Sequence, residues 1–137
     1  MAVTSVQVGR ASLLELISAG SMTVARETLY ALTALPPHEP RLVEMAGRFP
    51  AYVGETEVPM SIPLIVYFRN ASEDTRRAAW ITLTGYLDST AGLVQIRWTD
   101  GGTTKKFYAS VTDAAADADF SVGTANLIAP DPVAEAV

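Results

Sequence analysis

The side chains that most often catalyse reactions or bind metal ions are scarce in this sequence. Its 137 residues include no cysteine and one histidine. These counts exclude a thiolate zinc site, a cysteine nucleophile, a disulfide framework and a multi-histidine metal site. The histidine, His38, lies between Pro37 and Glu39 in a proline-rich connector, with no serine or cysteine nearby in an activating context. We interpret it as a surface histidine rather than a catalytic base.

The other patterns that could carry chemistry have simpler structural explanations. The acidic stretch 113–119 lacks the glycine and the terminal glutamate of a calcium loop, so we predict a solvated loop there. Gly101 and Gly102 join two strands and lead into no helix, unlike a phosphate-binding loop. Trp80 and Trp98 share apolar faces with their neighbours and are predicted to be core residues. We therefore predict no catalytic residue, no cofactor and no metal site.

Length and charge limit the function further. A chain of 137 residues suits one domain, so we treat residues 1–137 as a single unit. The net charge of −5 and the isoelectric point near 4.7 argue against free nucleic-acid binding, because phosphate contacts need clustered lysine and arginine. Only 18% of the residues are charged, while 49% are hydrophobic. This low charge content favours a surface that is partly covered by neighbouring copies or partners.

The sequence predicts neither a membrane segment nor a cleaved leader. The longest apolar run, residues 62–68, is interrupted by Pro63 and is too short to span a bilayer. The first eight residues lack the basic start and the uninterrupted apolar stretch of a signal peptide. We therefore expect synthesis in a cytoplasm without export.

Residues 58–111 predict a strand, a helix and a hairpin in that order. Apolar and other residues alternate over 58–69, which is typical of a strand with one buried face. Because proline cannot donate to a ladder, Pro59 and Pro63 confine residues 59–63 to an edge or to the start of pairing, and only 64–69 are expected to be central. A helix is predicted over 72–88, with Ser72 as its N-cap. Two alternating strands, 93–99 and 105–112, follow with a tight turn between them.

The flanking segments are less decisive. Residues 11–19 and 23–35 each fit a short helix or a strand, and both readings stay open, although 23–35 favours a strand. Residues 41–45 and 120–128 are predicted strands, whereas 47–57 reads as an irregular loop. Together these elements predict a mainly β (α+β) fold, an antiparallel β-sandwich or barrel with one amphipathic helix. Residues 130–137 are expected to form a flexible or partner-bound tail.

Residues 32–132 resemble the N-terminal β domain of siphophage distal tail proteins, which join the tail tube to the tail tip or baseplate. The resemblance rests on segments that occur in a particular order: Ala34-Leu-Pro-Pro-His-Glu-Pro-Arg41, the strand 62–69, Asn70-Ala-Ser-Glu-Asp-Thr-Arg-Arg-Ala78, Gly85-Tyr-Leu-Asp88, Trp98-Thr-Asp-Gly101 and Asn126-Leu-Ile-Ala-Pro-Asp-Pro132. In that family the domain is a β-sandwich of the tail-tube type, and six copies form a ring through which DNA passes.

The resemblance implies a structural virion protein without enzymatic activity. Its expected partners are other copies of itself, the tail tube protein and the tail tip, hub or baseplate proteins, with DNA only passing through the ring. The acidic balance fits such a channel, because a negative lumen lets DNA slide without sticking. The chain ends at Val137 without a second domain, so host adhesion by this chain is not expected.

Two alternatives stay open. A tail-tube or tail-terminator subunit shares the architecture, and a monomeric ligand-binding β-sandwich belongs to a different class. For the ring, unpaired edges and exposed apolar groups favour particular subunit contacts. The predicted contact residues are Phe49, Tyr52, Pro59, Pro63, Pro130 and Pro132.

Overall fold

The computed structural model describes residues 3–34, 38–43, 51–57, 59–131 and 133–137, with only the backbone of 38–43 and 51–57. Within these residues the chain forms ten strands and two helices. In chain order they are β1 (Val3–Gly9), β2 (Leu13–Glu15), β3 (Met22–Val24), α1 (Arg26–Thr33), β4 (His38–Val43), β5 (Ala51–Glu57), β6 (Met60–Phe68), α2 (Glu73–Tyr86), β7 (Val94–Asp100), β8 (Thr103–Ala116), β9 (Val122–Ala129) and β10 (Glu135–Ala136).

The strands form one curled antiparallel sheet in the order β2-β1-β7-β8-β9-β6-β3, and β10 pairs with β8. Strand β8 is 14 residues long and belongs to both halves of this half-barrel. Its first part pairs with β7 up to Ala109, and its second part pairs with β9 from Ser110 onward. We call β2-β1-β7-β8-β10 the first sheet and β8-β9-β6-β3 the second sheet. Strands β4 and β5 pair with each other as a separate hairpin.

The core lies between the two sheets and follows the alternation of the sequence. Strand β6 buries Met60, Ile62, Leu64, Val66 and Phe68, as predicted, and exposes or half-exposes the residues between them. Across the core, the predicted hairpin is confirmed, and it buries its own alternate residues. These are Val94, Ile96, Trp98, Phe107 and Ala109, with the Trp98 and Phe107 rings stacked 5.1 Å apart. The predicted antiparallel β architecture is therefore confirmed.

Helix α2 covers the core between the ends of the two sheets. It begins after Ser72, as predicted, although the Ser72 side chain makes no capping hydrogen bond. Leu83 and Leu87 are buried, and Trp80 meets Phe68 edge-on with ring centroids 6.3 Å apart. The Trp80 ring also rests on Gly123, where a Cβ atom would come within 2.5 Å of it. The absence of a side chain at Gly123 is what lets the helix approach β9.

Helix α1 occupies part of the segment for which helix and strand were both open. Residues 22–24 form β3, and the chain turns at Ala25 into a helix of eight residues. The Ala25 N–H donates to the Ile65 carbonyl oxygen at 2.9 Å. The Thr28 hydroxyl donates to the Pro63 carbonyl oxygen at 2.5 Å and accepts from the Ile65 N–H at 3.0 Å. Thr28 is fully buried and takes the place of a neighbouring strand at this edge of β6.

This arrangement also explains how β6 accommodates Pro63. In a strand the nitrogen and the carbonyl oxygen of one residue point to the same side. Because the Pro63 carbonyl faces Thr28, its ring nitrogen faces α1 and not β9, so the ladder with β9 loses no donor. Pairing with β9 starts at Met60, but residues 60–63 have a strand on that side only, whereas residues 66–67 pair with both β9 and β3. The predictions that 59–63 lie at an edge or at the start of pairing, and that only 64–69 can be central, are therefore confirmed.

Three predictions need correction. Residues 51–57, predicted as irregular loop, form β5, and β4 begins at His38, inside the predicted connector, rather than at residue 41. Residues 113–116, predicted as solvated loop, continue β8, since pairing with β9 overrides the weak strand propensity of alanine. A bulge between Thr112 and Ala115, with Asp113 at a φ of 55°, absorbs the irregularity. The predicted strand at 44–45 and the loop residues 47–50 lie outside the described residues.

Replacing Thr28 with valine tests whether its hydroxyl stabilises the edge of β6. Thr28→Val keeps the shape of the side chain but leaves the Ile65 N–H and the Pro63 carbonyl without their partner. We expect the free energy of unfolding to fall by about 1–3 kcal/mol, the cost of a buried unsatisfied polar group. Thr28→Ser, which keeps the hydroxyl, is the matched control and is expected to lose less. Equal stability of the valine and serine variants in urea unfolding would contradict the role of the hydroxyl.

Candidate assembly surfaces

The predicted contact residues fall in different parts of the structure. Phe49 and Pro132 lie outside the described residues, and Tyr52 is described only by its backbone, which pairs with Leu42 in the β4–β5 hairpin. Pro59 is exposed and directly precedes β6, and Pro130 is exposed and directly follows β9. Met60 pairs with Ala129, so these two prolines meet at the same end of the second sheet.

Pro63 lies apart from this pair. It is exposed in the middle of β6, opposite Asn126 of β9, and belongs to the outward face of the second sheet. The structure therefore brings Pro59 and Pro130 together and places Pro63 on a neighbouring surface. No observation tests whether any of the six residues contacts a neighbouring copy, so they stay predictions.

The second sheet has two open edges that sequence reasoning did not identify. The first open edge belongs to β8, on the side opposite β9. The Val111 N–H on this side donates to the Ser89 hydroxyl at 3.1 Å, and after Val111 no described strand lies beside β8 there. Residues 112–115 of this edge are exposed. At the other end of the sheet, no described strand lies beyond β3, which is three residues long. Unpaired strand edges are templates for pairing with another chain.

The two open edges differ in charge. The β8 edge carries Asp113, which is exposed, and ends next to Asp117. Beside the β3 edge lie Arg26, at the start of α1, and Arg69, whose Nε donates to the Thr23 hydroxyl. Glu27 follows Arg26 in α1, so the described side chains beside the β3 edge carry one net positive charge, whereas those at the β8 edge are negative. A head-to-tail contact between two copies would bring opposite charges together.

The strand residues on the outward face of the second sheet are uncharged, although the protein as a whole is acidic, and Arg69, directly after β6, bonds to Thr23 at the margin of this face. Alternation of the strands places hydroxyl, amide and apolar side chains on this face. Its residues are Thr23, Ser61, Pro63, Ile65, Tyr67, Ser110, Thr112, Ala115, Val122, Thr124, Asn126 and Ile128. The Ser61 hydroxyl donates to the Asn126 side-chain oxygen at 2.6 Å, so part of the face is bonded within itself. The listed strand residues have no charge with which to hold a phosphate backbone.

The first sheet carries charges on its outward face instead. In one row across the strands, Glu15, Gln7, Arg97, Lys106 and Glu135 lie side by side in register. The two outward faces therefore differ chemically, and only the second sheet combines an uncharged face with two open edges.

Glu15 fastens the N-terminal side of the first sheet. Its carboxylate accepts hydrogen bonds from the N–H groups of Ile17 and Ser18 at 2.8 Å and 3.0 Å, and from the hydroxyl of Ser5. Partial burial raises the pKa of Glu15, but the hydrogen bonds from Ser5, Ile17 and Ser18 outweigh it and lower the pKa below its ordinary value of 4.5. The carboxylate therefore acts as an anionic clamp for the turn that carries the buried side chain of Leu16.

Other polar groups of the described residues also have local structural roles. A backbone and a side-chain hydrogen bond from Thr90 lower the pKa of Asp88, and Ser121 lowers the pKa of Asp119 in the same way, so both carboxyls cap turns. In the described part of the chain, no group of three or more His, Asp or Glu side chains is placed to hold a metal ion. Among the same residues, no helix is long and apolar enough to cross a membrane. The features that stand out among the described residues are therefore the open edges and the outward face of the second sheet.

Acid unfolding tests the role of Glu15. Because its folded pKa is lowered, Glu15 contributes stability above its unfolded pKa, and this contribution is lost as the pH falls through the folded pKa, below 4.5. Glu15→Gln should be less stable than the wild type at pH 7 and should lose less stability between pH 7 and acid. The control, Glu135→Gln, changes an exposed residue and should keep the wild-type profile. Parallel urea-unfolding profiles for all three proteins would contradict the clamp.

Known proteins of the same fold are components of phage tails. No family model matches this sequence, and no curated protein does. Among solved structures, the Dit protein (gp 19.1) of phage SPP1, described as a hub of the adsorption apparatus, matches with a TM-score of 0.64 and 15% identity over 96% of this chain. The phage P2 baseplate in its activated conformation matches with a TM-score of 0.65 and 6% identity in both its Ca and its Sr form, over 97% and 94% of this chain.

The likeness is one of fold and not of sequence. The chain spans about half the length of these solved chains, 52%, 45% and 44% respectively. At the level of the fold, the resemblance to siphophage distal tail proteins that the sequence predicted is confirmed. The described residues thus form the mostly antiparallel β half-barrel, with two helices, that is found in phage tail hub and baseplate proteins.

Proposed function

We propose that this chain is a structural protein of a phage tail, a distal tail protein that forms a homo-hexameric ring between the tail tube and the tip or baseplate. The observation that carries the proposal is the fold shared with the Dit hub protein of phage SPP1 over 96% of the chain. The ring encloses a channel for DNA, needs no cofactor and has no catalytic role. Its partners are other copies of itself, the tail tube protein and tip, hub or baseplate proteins, and its location is the virion.

The strand directions of the second sheet support a ring. Each neighbouring pair in β8-β9-β6-β3 is antiparallel, so β3 runs opposite to β8. When copies are related by rotation about an axis along the strands, β3 of one copy lies beside β8 of the next. Their antiparallel alternation then continues across the subunit boundary. Such a head-to-tail contact closes into a ring when the rotation closes.

Charge supports the same arrangement. The contact brings the edge with Arg26 and Arg69 beside the edge with Asp113 and Asp117, which favours association and sets its direction. The uncharged outward face of the second sheet then lines the channel. Apart from Arg69 at its margin, the channel wall in this proposal is neutral rather than negative, and DNA slides past it because hydroxyl and amide groups provide no fixed charge to hold its phosphates.

The same geometry suits a tail-tube or terminator subunit, and β8 is the observation that favours it. This strand is 14 residues long and is shared by both sheets, as expected of a hairpin that continues through an inner barrel. The two roles differ in stacking. A distal tail protein forms single rings, whereas a tube protein forms stacked tubes that negative-stain images distinguish.

Charge reversal at the two edges tests the ring. Asp113→Lys and Arg26→Glu each place like charges across the proposed contact, and each variant alone should associate about tenfold more weakly or worse, a loss of about 1.4 kcal/mol. A mixture of the two variants restores opposite charges at every contact and should recover association. Light scattering measures the mass, and circular dichroism checks that each variant is folded. Arg26 and Asp113 are both exposed, so the fold should tolerate the changes.

Two results would overturn parts of the proposal. A wild-type protein that stays monomeric at high concentration, alone and with purified tail tube and hub proteins, contradicts the ring and favours the monomeric ligand-binding module. Rings that form equally well from each single variant leave the ring in place but contradict the assignment of these two edges.

The six sequence-predicted contacts form a second, separate test. We propose that Phe49, Tyr52, Pro59, Pro130 and Pro132 add to the contact between copies, whereas Pro63, the sixth predicted residue, lies on the face that lines the channel of the proposed ring. The double variant Phe49→Ala with Tyr52→Ala should lower the mass in light scattering while the monomer stays folded, because two aromatic anchors are lost. The control is Leu64→Ala, a core change that should weaken folding and assembly together. Assembly that survives in the double variant but not in the control would exclude the two aromatic residues.

A further inference from the structure

Gly85 lies on the exposed side of α2 at a place where the fold itself does not need a glycine. Its backbone is helical, and glycine is the poorest helix former after proline. Within the described part of the chain, a Cβ atom added at Gly85 would meet nothing within 4 Å. At Gly123, by contrast, the missing side chain makes room for Trp80. The space at Gly85 is therefore not filled by any of the described residues, and a group from outside the monomer can enter it.

A groove runs beside this glycine. It lies between the C-terminal half of α2 and the open β8 edge and has a volume of about 440 Å³. The side formed by α2 has an apolar residue, Ile81, which lies one turn before Gly85 and is 63% exposed, and polar residues, Thr84 and Asp88, nearer the C-terminal end of the helix. Residues 111–114 of β8 form the other side. The Asp88 Oδ1 atom accepts both hydrogen bonds from Thr90, and no bond to its Oδ2 atom is found among the described residues.

A side chain that matches this groove lies at the opposite edge of the same sheet. Tyr30 of α1 is 58% exposed. Thr28 and Leu32, two residues before and after it, are buried, so the helix period directs Tyr30 away from β6 and the core. In the ring proposed above, the α1 edge of one copy faces the β8 edge of the next. Tyr30 then points toward the groove that borders the neighbour's β8.

We propose that Tyr30 of one copy packs into the groove beside Ile81 and Gly85 of the next copy. This contact rests on the proposed ring and identifies a specific anchor within it. The phenol ring covers Ile81 and fills the space that Gly85 leaves open, and its hydroxyl donates to Asp88. An amphipathic aromatic side chain suits a groove that is lined by both apolar and polar residues. Large aromatic anchors in matching pockets carry much of the binding energy of subunit contacts.

Substitutions at Gly85 separate assembly from folding. Gly85→Ala and Gly85→Leu are both better helix formers in open space, so each monomer should unfold at the same or a higher urea concentration than the wild type. Leucine nevertheless occupies the groove, and the association constant from sedimentation equilibrium should fall about tenfold or more. Alanine should have a smaller effect. The matched control is Thr75→Leu, which adds leucine to an exposed position of the same helix outside the groove and should assemble as the wild type does.

Substitutions of the tyrosine test the other half of the contact. Tyr30→Ala removes the anchor and should weaken association about as much as Gly85→Leu. Tyr30→Phe keeps the ring and should lose only the part of the association free energy that comes from the hydroxyl. The variant that combines Tyr30→Ala with Gly85→Leu should associate about as weakly as either single variant, since both changes remove the same contact.

The outcomes distinguish this contact from the ring itself. If Gly85→Leu and Tyr30→Ala assemble as the wild type does while Arg26→Glu does not, the contact is wrong and the ring stands. Additive losses in the combined variant also contradict the contact. If the wild type shows no self-association at any concentration, alone or with tail proteins, the ring and the contact fail together.

Discussion

The structure depends on how the backbone hydrogen-bonding groups at the edges of its sheet are satisfied. A curled sheet that does not close has strand edges whose N–H and C=O groups need partners. Side chains close several of them. Thr28 replaces a strand along β6, Ser89 bonds the N–H of Val111, and the Glu15 carboxylate serves the turn after β2. Each of these side chains stops further pairing at its own edge.

The two open edges of the second sheet have a consistent geometry. The unpaired part of β8 and the outer side of β3 are the two ends of the same four-stranded sheet, and they run in opposite directions. Their charges are opposite too. A monomeric β protein commonly protects such edges with lysine, proline or short strands. Here the bulge at Asp113 bends the β8 edge, yet the residues around it are small and leave room for a neighbouring backbone.

Carboxylates that shape turns accompany this arrangement of edges. Among the described residues, hydrogen bonds hold Glu15, Asp88 and Asp119 ionised and lower their pKa values. The uncharged face of the second sheet offers no site that grips a ligand by charge. A rigid scaffold with open ends and a neutral face can be repeated around an axis, as the proposed ring requires.

The sequence alone determined the elements whose side-chain period is strong. Alternation along β6, the helical spacing of Ala79, Trp80 and Leu83, and the two glycines of the β7–β8 turn act over neighbouring residues, and each was readable without the fold. Burial of one face is a property of the period, so the core of these elements was predictable as well. The absence of cysteine and the single histidine excluded whole classes of sites by composition.

Only the tertiary structure decided which edges are closed and which are open. The helix at 26–33 depends on the contact of Thr28 with a strand 35 residues away, and the strand at 113–116 depends on pairing with β9, so neither is visible in its own residues. The difference between the two outward faces and the free space at Gly85 likewise arise from packing between distant segments. The spacing of apolar residues in a sequence indicates which residues face the core. The partners of the outward edges depend on contacts that no local pattern contains.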